Sequence, residues 1–115
     1  MFQRLFGTGN TQGEMPPDVD VLKVQQLQQE GVQLIDVREP GEFASGHAKG
    51  AHNIPLGQLA QRQEEVQRNG TVLVICQSGN RSEAAQGLLK RLSVADVRNV
   101  RGGTSAWRAA GLPIE

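Results

Sequence analysis

The chain has one cysteine, Cys76, and it follows directly on the apolar run "TVLVI". After it come Gln77, Ser78, Gly79, Asn80, Arg81 and Ser82, and then a helix-like pattern, "SEAAQGLLKRL". A thiol placed there has the makings of a nucleophile. In open α/β sheets ligands sit outside the carboxyl ends of the strands, which is where Cys76 falls if the run is a strand. The short polar loop can curl its backbone N–H groups inward as an anion-binding nest. A helix beginning near Ser82 adds the positive end of its dipole, and Arg81 adds a full charge. Each of these favours thiolate over thiol. Cysteines at helix N-termini or beside cations drop from about 8.5 into a range of roughly 3.5 to 7.5. The same donors would hold an oxyanion brought to the sulfur, so nucleophile and cradle come together. A buried structural cysteine is the plain alternative. That alternative suits a Cys inside the apolar run better than one at its end. Strand–Cys–loop–Arg–helix on its own serves several chemistries, Cys-based phosphatases among them.

The rest of the chain must position this loop. Residues 1 to 17, rich in Gly, Gln, Thr and Pro, read as a flexible tail, and 18 to 115 as one domain. "VDVL" suggests a short strand and "KVQQLQQEG" a helix stopped by Gly31. "VQLIDV" suggests a buried strand ending near Asp36. "EPGEFASGHAKGAHNIP" reads as loop, with a helical turn around Glu42 to Ser45. "PLGQLAQRQEEVQRNG" spaces Leu56, Leu59 and Val66 for a helix. "TVLVIC" suits a central strand covered on both faces. "SEAAQGLLKRL" places Ala84, Ala85, Leu88, Leu89 and Leu92 on one stripe of a helix. "VRNV" and "TSAWRAAG" complete the pattern as strand and helix. Alternating strands and helices predict an α/β fold with a mainly parallel sheet.

Composition narrows the function classes. The 115 residues carry 12 basic and 12 acidic side chains, a formal net charge of zero. That balance speaks against nucleic acid as the main partner and gives no polybasic membrane surface. There is no apolar run of about 18 residues and no secretory signal pattern in "MFQRLFGTGNTQG". One Cys allows neither an internal disulfide nor a cysteine-based structural zinc site. These features together lead us to expect a cytoplasmic protein.

Three segments carry a resemblance. "LIDVREPGEFASGHAKGAHNIPL" resembles the N-terminal signature of the rhodanese family, "VICQSGNRS" its active-site loop, and "VRGGTSAWRAAGLPI" its C-terminal end. They stand in the right order and reach across residues 18 to 114. The resemblance implies a three-layer α/β domain with a five-stranded parallel sheet flanked by helices. It implies that Cys76 is catalytic, taking a sulfane sulfur from thiosulfate or a persulfide as a Cys76 persulfide. The sulfur then passes to cyanide, a thiol or a protein acceptor. Gln77, Ser78, Gly79, Asn80, Arg81 and Ser82 would bind the substrate, with no metal or organic cofactor. Six residues run from Cys76 to Arg81. The related phosphatases have one more, which suits a phosphoryl group better than an outer sulfur. Gln77 departs from the pattern, since many thiosulfate-using relatives carry a basic residue there. This favours a persulfide donor over thiosulfate.

Asp36, Arg38 and Glu42 are read as supporting residues, with Asp36 or Glu42 available to pair with Arg81. His47 and His52 lack ligand spacing and suit turn-stabilising hydrogen bonds. Ser82 is placed either to donate to the sulfur or to cap the helix. Trp107 suits core packing, Gly102 and Gly103 a tight turn, and "RQEEVQR" a solvated helix face. Besides a sulfurtransferase, three readings stay open. These are a sulfur-relay carrier between proteins, a Cys phosphatase or arsenate reductase, and a non-catalytic binding module.

Overall fold

A computed structural model describes residues 17–115. The tail expectation falls almost wholly on residues outside this range. Pro17, counted with the tail, uses its carbonyl to accept from the Asn99 N–H at 3.2 Å.

The elements in chain order are β1 (Asp18–Val19), α1 (Val21–Gln29), β2 (Gln33–Asp36), α2 (Pro40–Ala44) and β3 (His52–Asn53). They continue with β4 (Thr71–Ile75), α3 (Asn80–Arg91), β5 (Asp96–Val100) and α4 (Gly103–Ala109). The five strands form one sheet in the order β1-β5-β4-β2-β3, and every neighbouring pair is parallel. All carboxyl ends therefore share one edge. The central strand β4 pairs with β2 through Asp36–Ile75 and with β5 through Val74–Asn99.

Both faces of the sheet are covered. Along β4, Val72 and Val74 belong to one core with Ile35, Leu59, Ala85, Leu89 and Val97. Leu73 and Ile75 belong to the other, with Val24, Leu34, Val100 and Trp107. The period-2 alternation of a strand thus sends apolar side chains into two cores. That is why "TVLVI" carries no polar residue after Thr71. Trp107 is fully buried, and its indole N–H donates to the Pro113 carbonyl at 2.7 Å.

Several local expectations need correction. The second half of "VDVL" is helix, because the Asp20 side chain accepts from Leu22 N–H and caps α1. The helix expected over 55–70 is two single 3-10 turns, Leu56–Gln58 and Gln63–Glu65. Leu59 and Val66 do reach the core, but the segment between them is held by side chains and not by a helical ladder. Arg62 binds Glu65, Gln58 and the Asn53 carbonyl, while Gln33 of β2 donates to the Glu65 carbonyl and accepts from Gln67 N–H. In α3 the buried stripe is Ser82, Ala85, Gln86 and Leu89, and Ala84 faces solvent. Gln86 donates to the carbonyls of Pro17 and Val97, which draws this polar side chain inward.

Candidate active site

Cys76 is the first residue after β4, and its side chain is 1% exposed with its neighbours in place. The chain turns at Gly79, whose φ of +117 lies in the left-handed region that favours glycine. Helix α3 then starts at Asn80, two residues earlier than its sequence pattern suggests. This folds the first turn of α3 over the sulfur. The Gly79 N–H donates to Sγ at 3.1 Å, and Ser82 Oγ lies 3.3 Å from it. Burial pushes the thiol up, but the Ser82 hydroxyl and the backbone N–H groups of Ser82, Gly79 and Ser78 outweigh it. The net result is a thiol below its ordinary value, which favours the thiolate.

The loop is held in this shape from α4. Thr104 donates its N–H and its hydroxyl to the Cys76 carbonyl, at 2.8 and 3.1 Å, and Ser105 N–H donates to the Gln77 carbonyl at 3.0 Å. With these carbonyls turned toward α4, the N–H groups of the loop are left facing the sulfur. The approach is close because Gly103 has no side chain. A Cβ there would lie 2.4 Å from the Cys76 carbonyl oxygen, and φ is +60. Backbone has no room to give, so Gly103→Ala is expected to cost about 2 to 3 kcal/mol of stability from strain and overlap. A shift in the urea midpoint checks this; an unchanged midpoint would mean that α4 does not pin the loop.

The charged residues divide into two pairs. Arg81 forks onto Glu42, with Nη1–Oε1 at 2.7 Å and Nη2–Oε2 at 2.9 Å. These bonds, then the Glu39 N–H, pull the Glu42 carboxyl down to about 2. The pair is partly exposed, so it adds about 1 kcal/mol or less. It clamps the start of α3 to α2. Arg81 is therefore a paired charge: it still interacts coulombically with the sulfur, but the leading causes that favour the thiolate are the Ser82 hydroxyl and the backbone hydrogen bonds. Asp36 pairs with Arg38, not with Arg81. Arg38 Nε and Nη2 bind the Asp36 carboxylate at 2.9 to 3.1 Å, and Nη2 also donates to the Gly46 carbonyl. Both residues are buried.

Arg38 Nη1 donates to Gln77 Oε1 at 3.4 Å, and Gln77 Nε2 donates to Ser105 Oγ at 2.9 Å. The first loop side chain is thus strung between Arg38 and α4. Ser78 and Asn80 are exposed; the backbone N–H of Ser78 adds to the causes that favour the thiolate.

His47 and His52 serve local contacts. His47 Nδ1 lies 2.8 Å from the Phe43 carbonyl and its ring stacks on Phe43, while His52 Nε2 lies 2.6 Å from Glu65. Among the described residues no three His, Cys, Asp or Glu side chains group as metal ligands. Sequence reasoning missed Thr104, Ser105 and Asn99. The only signal was the pair Gly102-Gly103, which read as a turn and gave no hint of what the turn touches.

Comparison with known proteins agrees with this architecture. The family model described as rhodanese-like domain matches residues 20–110. The Bacillus subtilis protein YqhL is 45% identical over 75 residues, covering 65% of this chain and 60% of YqhL. This chain thus spans less than two thirds of YqhL. Vibrio cholerae thiosulfate sulfurtransferase GlpE is 35% identical, covering 77% of this chain and 84% of GlpE. The crystal structure of a rhodanese-related protein from Thermoplasma volcanium superposes with a TM-score of 0.77 at 29% identity, covering 86% and 97% of the two chains. The matched span takes in β2, the Cys76 loop and α4, and on that ground the chain belongs to the rhodanese-like domain family.

Proposed function

We propose that this protein is a sulfurtransferase that carries a sulfane sulfur on Cys76. The observation that carries the reading is the pair of donors on Sγ, the Gly79 N–H at 3.1 Å and the Ser82 hydroxyl at 3.3 Å. Both stabilise a thiolate before transfer, and the loop's N–H groups stabilise an anionic outer sulfur after it. The thiolate attacks the outer sulfur of the donor. The donor S–S bond breaks, and its electron pair leaves with the thiolate or, from thiosulfate, with sulfite. An acceptor nucleophile (cyanide, a small thiol or a protein thiol) then attacks the outer sulfur, and the pair of the new S–S bond returns to Sγ. The chemistry requires a reduced Cys76, in keeping with a cytoplasmic setting. The six-residue Cys76–Arg81 loop leaves a tight cradle, which suits a sulfur atom better than a phosphoryl group.

Donor choice follows from the charges. Arg38 and Arg81 are each paired with a carboxylate, and Gln77 is neutral. A dianion such as thiosulfate gains little there, so a small organic persulfide is the better donor. Intact-protein mass after exposure to each donor tests this. The expected result is a gain of one sulfur atom from both donors, lost on adding cyanide, with loading about tenfold faster from the persulfide. No gain from either donor would sink the sulfurtransferase reading. A faster gain from thiosulfate would overturn the donor assignment alone.

A further inference from the structure

Ser82 Oγ carries one proton and lies within hydrogen-bond reach of three acceptors. They are the Cys76 sulfur at 3.3 Å, the Gly79 carbonyl at 3.1 Å and the Asn99 side-chain oxygen. A hydroxyl donates once and accepts twice. The Gly79 carbonyl is already satisfied by the Glu83 N–H at 3.1 Å and needs the hydroxyl least, so the contest that matters to the sulfur lies between Cys76 and Asn99. Asn99 projects from β5 and is 5% exposed.

The two ends of its amide differ in chemistry and hardly in shape, and a half-turn about χ2 exchanges them. With Oδ1 toward Ser82, the hydroxyl proton is drawn off the sulfur. With Nδ2 toward Ser82, Asn99 donates to Oγ and the proton is left for Sγ. A Cβ on Gly79 would lie 3.8 Å from both Asn99 Nδ2 and the Gly102 nitrogen. The far end of the amide and the Gly102 N–H thus border the same space.

We propose that Asn99 is a positioning residue that aims the Ser82 hydroxyl at Cys76, turning Nδ2 to Ser82 while the sulfur is a thiolate. The proposal rests on the reading that Cys76 is the reacting thiolate. A thiolate is a charged acceptor and takes the stronger hydrogen bond. Once a sulfur is loaded, the negative charge sits on the outer atom and Sγ is neutral, so the hydroxyl can return to Oδ1. When an acceptor removes the outer sulfur, the electron pair comes back to Sγ. The chain Asn99 Nδ2–H to Ser82 O–H to Sγ then re-forms and eases that departure.

The charged groups around the site are Arg81 of α3, Glu42 of α2, and Asp36 and Arg38 at the end of β2, all paired among themselves. On the β5 side, Arg98 pairs with Asp96, and Arg101 with Asp18 and Asp20. Changes at positions 82 and 99 leave these pairs intact.

The test is the pH profile of Cys76 alkylation by iodoacetamide, with no sulfur donor present. Asn99→Ala is expected to raise the inflexion by about half a unit. Asn99→Asp should raise it by about one unit or more, because a carboxylate takes the hydroxyl proton and adds a like charge. Ser82→Ala should also raise it, and the double variant Ser82→Ala with Asn99→Ala no further than Ser82→Ala alone. An unchanged inflexion in Asn99→Ala, or single shifts that add in the double variant, overturns the proposal. If Asn99→Ala does not fold, the near-isosteric Asn99→Asp decides alone, an unchanged inflexion again overturning it. Because no sulfur is transferred, the result stands apart from the fate of the sulfurtransferase reading.

Discussion

Cys76→Ala is expected to take up no sulfur from a persulfide donor and to form no thiocyanate with cyanide, a fall of at least about a thousandfold. The argument is local. The chain has no second cysteine, and the Gly79 N–H and the Ser82 hydroxyl both reach its Sγ. Cys76→Ser should be equally inert, because a hydroxyl keeps its proton near neutral pH and oxygen does not replace sulfur in a persulfide. Neither change should unfold the protein. The thiol is small, and the loop is held by Thr104 and Ser105 through the backbone of Cys76 and Gln77, which both variants keep. The measurements are intact mass after donor treatment and thiocyanate formation, with the urea midpoint as control for folding. Retained loading in Cys76→Ala would place the sulfur elsewhere. Unchanged function in a cell lacking the wild-type gene, with Cys76→Ala supplied, would favour the non-catalytic binding module.

How far the sequence leads depends on whether a residue's partner is close to it along the chain. Cys76 was legible because its neighbours supply its environment. The apolar run that makes β4 a buried strand, the glycine that turns the loop and the start of α3 all lie within a few residues. The parallel α/β architecture was legible for the same reason, through hydrophobic periods of 2 and 3.6. The helix at 55–70 was misread because period alone cannot see that Gln33, 32 residues away from Glu65, claims its carbonyl. The fifth strand, β3, was implied by family resemblance and not by pattern. Two residues, His52 and Asn53, are too few to show a period, and what makes them a strand is the free edge of β2.

The electrostatics were the least legible part. A free Arg81 beside a cysteine reads as a thiolate stabiliser, yet Glu42 claims its fork from 39 residues away. Most of the effect expected of a full charge comes from the Ser82 hydroxyl and from backbone N–H groups, and the loop presents those N–H groups while α4 takes its carbonyls. Gly103 is the residue that permits this, and as a glycine it advertises only freedom of conformation. Asn99 is quieter still, one of three polar positions in β5, and its partner is a single hydroxyl on α3.

Arg38→Leu is expected to cost about 3 to 5 kcal/mol of stability, because it leaves the Asp36 carboxylate buried and unpaired. Asp36 is fully buried and takes three contacts from the Arg38 guanidinium, plus the backbone N–H of residue 38, which survives the change. The same guanidinium satisfies the Gly46 carbonyl. A leucine fills part of the volume and replaces none of these bonds. Arg38→Lys keeps the charge but not the fork, and should lose less, about 1 to 3 kcal/mol. Adding Asp36→Asn to Arg38→Leu should restore part of the loss, since a neutral amide is cheaper to bury than an unpaired carboxylate. A drop in the urea midpoint measures all three. The site should feel the change as well, because Arg38 holds the Oε1 end of Gln77 while Ser105 holds the other. Sulfur loading in Arg38→Lys is therefore expected to slow even where the protein remains folded. If Arg38→Leu is as stable as wild type, then the pair is structurally idle and the link from β2 to the reactive loop falls with it.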